Sequence, residues 1–138
     1  MKREPSIRVI LLPKDTNGHG TVFGGVILSY IDLAGAVAAR KTGCHRYVTV
    51  AMDKIEFPEP VYVGDVVSFY ADIVKQGRTS VTVKVEVEAE RFEDPASKVR
   101  VTEATVVYVS VDKGGRPVPL RTASGPEEQA RPGRGRRK

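Results

Sequence analysis

The 138-residue sequence has no tryptophan, one cysteine, two histidines and two methionines. Each shortage removes a class of protein. A lone Cys44 excludes an intrachain disulfide framework and fits a reducing cytosol. Two isolated histidines, His19 and His45, together with that cysteine give no regular ligand spacing, so no metal site is expected. Long hydrophobic runs are also missing: the most apolar stretch, Gly24 to Ala39, is interrupted by Asp32 and falls short of the roughly 20 residues a spanning helix needs. Near the N-terminus only Val9 to Leu12 is apolar, stopped by Pro13 and without a small-residue cleavage site, so neither a signal peptide nor a membrane span is expected. The expected location is the cytoplasm.

A field of one charge sign is absent from most of the chain. The net charge of +5 lies largely in residues 121–138, which hold Arg121, Arg131, Arg134, Arg136, Arg137 and Lys138 against two acidic residues. Residues 1–120 carry 16 basic and 15 acidic side chains, too balanced for a phosphate-backbone footprint, so no specific nucleic-acid partner is expected. The Gly-, Pro- and Arg-rich tail reads as disordered, and its composition favours a solubilising role over weak contact with RNA or anionic lipid.

What remains is one domain's worth of chain, 41% apolar and 28% charged, with no internal repeat. The division expected is a single domain over 1–120 and a basic tail over 121–138. Ile7 to Leu12 reads as a first strand, and Asp15 to Gly20 is dense turn chemistry. From Gly24 to about Lys41 apolar residues recur at helical spacing, with Gly43 as a stop. Four strands follow: Tyr47 to Phe57, Asp65 to Lys75, Ser80 to Glu90 and Lys98 to Val111. One strand, one long helix and four strands joined by short turns predict an α+β fold, a curved antiparallel sheet of about five strands wrapped around the helix.

On that helix Gly25, Ser29, Asp32 and Ala36 form a narrow stripe of small or polar residues. The stripe is either a solvent face, with Asp32 there for solubility, or a covered groove in which a desolvated carboxylate serves as base or nucleophile. Asp32 is the only charged side chain between Gly18 and Ala39, which speaks for the groove. The paired Gly24 and Gly25 are likewise either a tightly packed turn or a place where helix-start N–H groups meet a ligand, such as a carbonyl gaining negative charge. A dinucleotide loop is excluded: after Gly18-His19-Gly20 the third glycine position holds Phe23, and there is no second helix for a doubly wound sheet. A phosphate-loop lysine is missing as well. Gly25 and Asp32 are seven residues apart, about 10.5 Å along the axis, so one reacting carbon cannot touch both in one chain. A two-fold dimer with two shared sites is therefore expected.

The motifs Leu12-Pro13-Lys14-Asp15-Thr16-Asn17, Phe23-Gly24-Gly25, Asp32-Leu33-Ala34-Gly35-Ala36, Val48-Thr49-Val50-Ala51-Met52, Val63-Gly64-Asp65, Gly77-Arg78-Thr79-Ser80 and Tyr108-Val109-Ser110-Val111-Asp112 resemble, in this order, the acyl-CoA thioester hydrolases of the hotdog superfamily. The likeness covers about residues 6–120. It implies a hotdog fold, homodimers with a continuous sheet assembling into tetramers or hexamers, and hydrolysis of fatty acyl-CoA to free acid and CoA. It implies Asp32 as general base or nucleophile and Gly25 as the N–H that polarises the carbonyl, with Asn17, Thr21 and Thr49 in the same catalytic set. Phe23 and Gly24 would line the acyl channel, and Gly77, Arg78, Thr79 and Ser80 would border the CoA groove. No cofactor is implied beyond the CoA of substrate and product. Thr21 departs from the family, where Asn or Asp often stands; its hydroxyl can still orient a water. His19 is expected at the surface and Cys44 as a small buried hydrophobe. Of Arg46, Arg78 and Arg116 as phosphate donors, only Arg78 has motif support. The alternative is a non-catalytic acyl-CoA-binding sensor module, although no fused DNA-binding segment is visible. A hotdog dehydratase would need a helix histidine, which is absent.

Overall fold

The computed structural model describes residues 3–43, 46–53 and 55–120. Cys44, His45 and the tail from 121 onward lie outside the described residues, as do the expectations made for them.

Strand β1 (Ile7–Ile10) leads through a 3-10 turn at Pro13–Asp15 to helix α1 (Gly24–Ala39), and β2 (Tyr47–Asp53), β3 (Val66–Gln76), β4 (Ser80–Glu90) and β5 (Lys98–Ser110) follow. The strands form one antiparallel sheet in the order β1-β3-β4-β5-β2, which leaves β1 and β2 at its edges. The alternation in β4 decides which face meets the helix. Val81, Val83, Val85, Val87 and Ala89 are fully buried, while the intervening Lys84 and Glu86 lie outward, where Arg3, Arg100 and Glu103 complete a charged cluster. Against that apolar face α1 lays Ile27, Ile31, Ala34, Gly35, Ala38 and Ala39. Small residues on this stripe let the helix axis approach the sheet.

Element ends depart from the sequence reading where chain groups are claimed by turns. The first strand stops at Ile10 because Leu11 exchanges its backbone bonds with the turn before β3: its N–H goes to Asp65 O (3.2 Å) and its carbonyl accepts from Gly64 N–H (2.9 Å). Asp65 belongs to that turn as well, so β3 begins at Val66. The second strand ends at Asp53, not Phe57; it is already irregular between Thr49 and Ala51, and two prolines lie beyond it. The helix closes at Ala39 and tightens to a 3-10 turn at Arg40–Thr42, where Gly43 at φ 95° makes the stop expected of it.

Candidate active site

Asp32 sits on the third turn of α1, half-buried, at the side of the helix that faces β5 and β2. Thr49 on β2 donates its hydroxyl to Asp32 Oδ1 at 2.7 Å. Tyr108 on β5 donates its hydroxyl to the Asp32 main-chain oxygen at 2.6 Å. Thr49 and Tyr108 are direct cross-strand partners, so one row of the sheet grips both the side chain and the backbone of the same residue. Burial first, and then the nearby Asp32 charge, push the Tyr108 hydroxyl pKa upward, which keeps it protonated and donating. Gly35 makes this approach possible: a Cβ there would stand 2.2 Å from Tyr108 Oη.

The start of the helix is built differently. Phe23 is the N-cap, and the N–H groups of Gly24 and Gly25 fall in the first turn, where no preceding helical carbonyl can receive them. The loop before them is tied down by backbone. Phe23 N–H reaches Asp15 O (2.8 Å), Asn17 N–H reaches Thr21 O (3.0 Å), and Val22 N–H reaches Val61 O (2.7 Å). Two buried carboxylates hold the two sides of this loop. Asp15 accepts from Leu12 N–H at 3.0 Å and from Lys14; the Leu12 bond foremost holds its pKa below the ordinary value, against burial. Asp65 accepts from Tyr62 N–H (2.9 Å), Phe92 N–H (3.3 Å) and Arg91 Nη1 (2.7 Å), and the same Arg91 nitrogen donates to Pro60 O (2.9 Å).

A groove of about 310 Å³ opens beside the helix start, lined by Thr21, Gly24, Phe57, Glu59 and Pro60 among others. Phe23 is 58% exposed, its ring lying so close to Gly25 that a Cβ there would be 2.9 Å from it. The glycine pair is thus a close-packed turn, the first of the two readings the sequence left open, and Gly25 within it is exposed. Asn17 lies in the exposed loop, its side-chain oxygen accepting His19 N–H at 2.9 Å, and His19 is on the surface as expected.

Gly77, Arg78 and Thr79 form the β3–β4 turn, closed by Gly77 N–H to Ser80 O at 2.8 Å. Ser80 pairs with Val109, one step from Tyr108, so this turn lies at the Asp32 end of the sheet. Arg78 is exposed there. Of the candidate residues, the single chain brings Thr49 directly to Asp32, sets Gly77 to Ser80 at the same end, and keeps Gly25, Phe23, Thr21 and Asn17 at the other. Tyr108, Gly35, Asp65 and Arg91 were not assigned roles from sequence; the only signal was that three of them stand inside the family-like motifs. Among the described residues no three His, Cys, Asp or Glu side chains are grouped to hold a metal ion, and no helix is long and apolar enough to cross a membrane.

Comparison with known proteins agrees with this architecture. The family model of the thioesterase superfamily matches residues 19–95. The acyl-CoA thioester hydrolase YciA of Salmonella typhimurium is 40% identical over 116 residues, covering 83% of this chain and 87% of that protein. A hexameric hotdog fold thioesterase of Campylobacter jejuni superposes with a TM-score of 0.80 at 46% identity, covering 93% of this chain and 94% of its own. A hexameric broad specificity acyl-coenzyme A thioesterase gives a TM-score of 0.83 at 36% identity, covering 94% and 89%. The expected fold and the family resemblance are therefore both found, and this chain belongs to the thioesterase superfamily, with the hotdog fold.

Proposed function

We propose that the protein hydrolyses acyl-CoA thioesters to a free acid and CoA, with Asp32 as general base or nucleophile and the partner subunit's Gly25 N–H polarising the thioester carbonyl. The observation that carries this reading is Asp32 itself, the one charged side chain of α1, half-buried and oriented by Thr49, in a chain 40% identical to a named acyl-CoA thioester hydrolase.

As base, Asp32 takes a proton from water while the water oxygen bonds to the carbonyl carbon; the C–S bond then breaks and the CoA sulfur leaves as thiolate, to be protonated from solvent or from Asp32. As nucleophile, Asp32 bonds to that carbon, expels the same thiolate and is released from the anhydride by water. In both routes the carbonyl oxygen gains charge, and a helix-start N–H is suited to receive it. The about 10.5 Å between Gly25 and Asp32 along one helix supports a reading in which the two groups of each site come from different subunits.

Support for a dimer comes from β2, a sheet edge with Val48 and Val50 exposed, and from Leu33 and Val37 exposed on α1. We extend the reading to a hexamer of three such dimers, since the two solved relatives described above are hexameric. Phe23 and Gly24 would meet the acyl group, and Gly77, Arg78, Thr79 and Ser80 the CoA moiety. Thr21, half-buried in the groove, would orient water with its hydroxyl, and Asn17 would shape the loop that carries it. Water is the only co-substrate the reading requires, and the cytoplasm is the proposed location.

The test is CoA release, followed with a thiol-reactive dye, across short, medium and long acyl-CoAs. Asp32→Asn is expected to lower turnover at least about a hundredfold with little change in folding stability. Near-normal turnover of that variant overturns the assignment, and saturable binding without turnover by the unaltered protein makes it a binding module.

A further inference from the structure

We propose that Tyr108 is a positioning residue for this reaction: its hydroxyl, admitted to the helix by the missing side chain of Gly35, fixes the turn of α1 that aims Asp32. The inference rests on the reading of Asp32 as the reacting carboxylate.

The Asp32 carbonyl lies mid-helix, where the N–H four residues on already serves it, so the helix itself does not call for a second donor. Tyr108 is 1% exposed and packs in the buried apolar cluster beside valines, alanines and isoleucines. A phenylalanine would fill the same space. The hydroxyl is therefore retained at the cost of burying a polar group, and its hydrogen bond goes to the residue that carries the carboxylate, at 2.6 Å. Because Thr49 faces Tyr108 across β2 and β5 and binds Asp32 Oδ1, the pair fixes Asp32 at two points, backbone and side chain. Gly35 is tuned to this arrangement. A Cβ at that position would meet Tyr108 Oη at 2.2 Å and Cζ at 3.0 Å, and a fully buried ring has no free space into which to swing.

Few charged groups surround the contact. Asp32 is the only charged side chain of α1, Val81 faces Tyr108 from β4, and the ring next to it is Tyr47, edge-on at 6.3 Å. Burial first, and then the Asp32 charge, raise the Tyr108 pKa, which keeps the hydroxyl protonated and donating around neutral pH. A positioning bond of this kind acts on the geometry of attack and leaves substrate affinity alone, since displacement of a reacting group by a fraction of an ångström lowers the rate.

The experiment compares steady-state CoA release by the unaltered protein, Tyr108→Phe, Gly35→Ala, the double variant and Asp32→Asn, with thermal unfolding of each. Tyr108→Phe is expected to lower kcat about tenfold or more and to keep KM within about twofold, by the same factor from mildly acid to mildly basic pH. Gly35→Ala, which disturbs the same hydrogen bond from the helix side, is expected to lower kcat as well. The double variant should be no slower than the slower single one, because without Oη the closest clash is gone. A kcat for Tyr108→Phe equal to that of the unaltered protein overturns the inference, as does a fall that only follows loss of folded protein. Should Tyr108→Phe fail to fold, Gly35→Ala decides alone: unchanged kcat overturns the inference and a selective fall in kcat upholds it. Asp32→Asn separates the two claims. If it stays active, the assignment of Asp32 fails and this inference with it; if it is inactive while Tyr108→Phe is fully active, only this inference fails.

Discussion

The start and the middle of α1 are positioned by opposite means. At the start, Gly24 and Gly25 are held through the backbone: loop carbonyls and N–H groups, with Asp15 and Asp65 buried as their anchors. In the middle, Asp32 is held by two side chains from the sheet, Thr49 and Tyr108. The difference teaches what each end contributes. A carboxylate must be aimed, and side chains from rigid strands aim it; an N–H donor comes with the backbone, so the whole loop has to be fixed instead.

Breaking the loop anchor should have the largest effect on stability. Asp65→Ala leaves the Arg91 guanidinium, 20% exposed at its side chain, with only the more distant Glu59 carboxylate at 3.9 Å and strips the acceptor from Tyr62 and Phe92 N–H. A loss of about 3–5 kcal/mol in denaturant unfolding is expected. A loss under about 1 kcal/mol would show that the loop does not depend on this pair.

Weakening the grip on Asp32 should do the reverse, sparing stability and slowing catalysis. Thr49→Val removes the donor to Asp32 Oδ1 from an exposed site; kcat is expected to fall about tenfold, or about 1.4 kcal/mol in barrier, with unfolding almost unchanged. Equal kcat for variant and unaltered protein would show that Tyr108 alone suffices.

Gly25→Ala is gentler. Its Cβ would press on Phe23 Cε2 at 2.9 Å, but that ring is 58% exposed and can turn aside. A change in stability below about 0.5 kcal/mol is expected, with a several-fold change in acyl-chain preference, read from kcat/KM across the substrate panel. An unchanged preference would remove Phe23 from the acyl channel.

Acid is expected to loosen the loop end by the smallest amount. The lowered pKa of Asp15 means that its contribution to stability is present above its ordinary value of 3.8 and is lost as pH falls through the lower folded value. Glu86, held low chiefly by its hydrogen bond from Arg3, acts in the same direction on the outer face. Unfolding midpoints measured downward from pH 5 should fall less in Asp15→Asn than in the unaltered protein; parallel curves would contradict the assignment.

The same division governs what the sequence made legible. β4 was readable to its end residues because strict alternation of valines needs no distant partner, and the helix start was marked by its glycines. Asp32 stood out by isolation among uncharged neighbours. Tyr108 did not, since its partner is 76 residues away and only the curl of the sheet brings them together. Asp65 was visible as part of a common motif, but its bond to Arg91 spans 26 residues, and that turn is also what displaced the expected ends of β1 and β3.

The central claim is that the start of one helix and the middle of another make one site. It is tested most directly by mixing two inactive variants: Asp32→Asn, which lacks the carboxylate, and Gly25→Pro, which lacks the N–H at a first-turn position where proline is tolerated. In randomly assembled dimers half the molecules are hybrids, each with one intact shared site, so co-expression should restore about a quarter of the unaltered activity. Hybrid oligomers that form and remain as inactive as their parents would contradict the shared site.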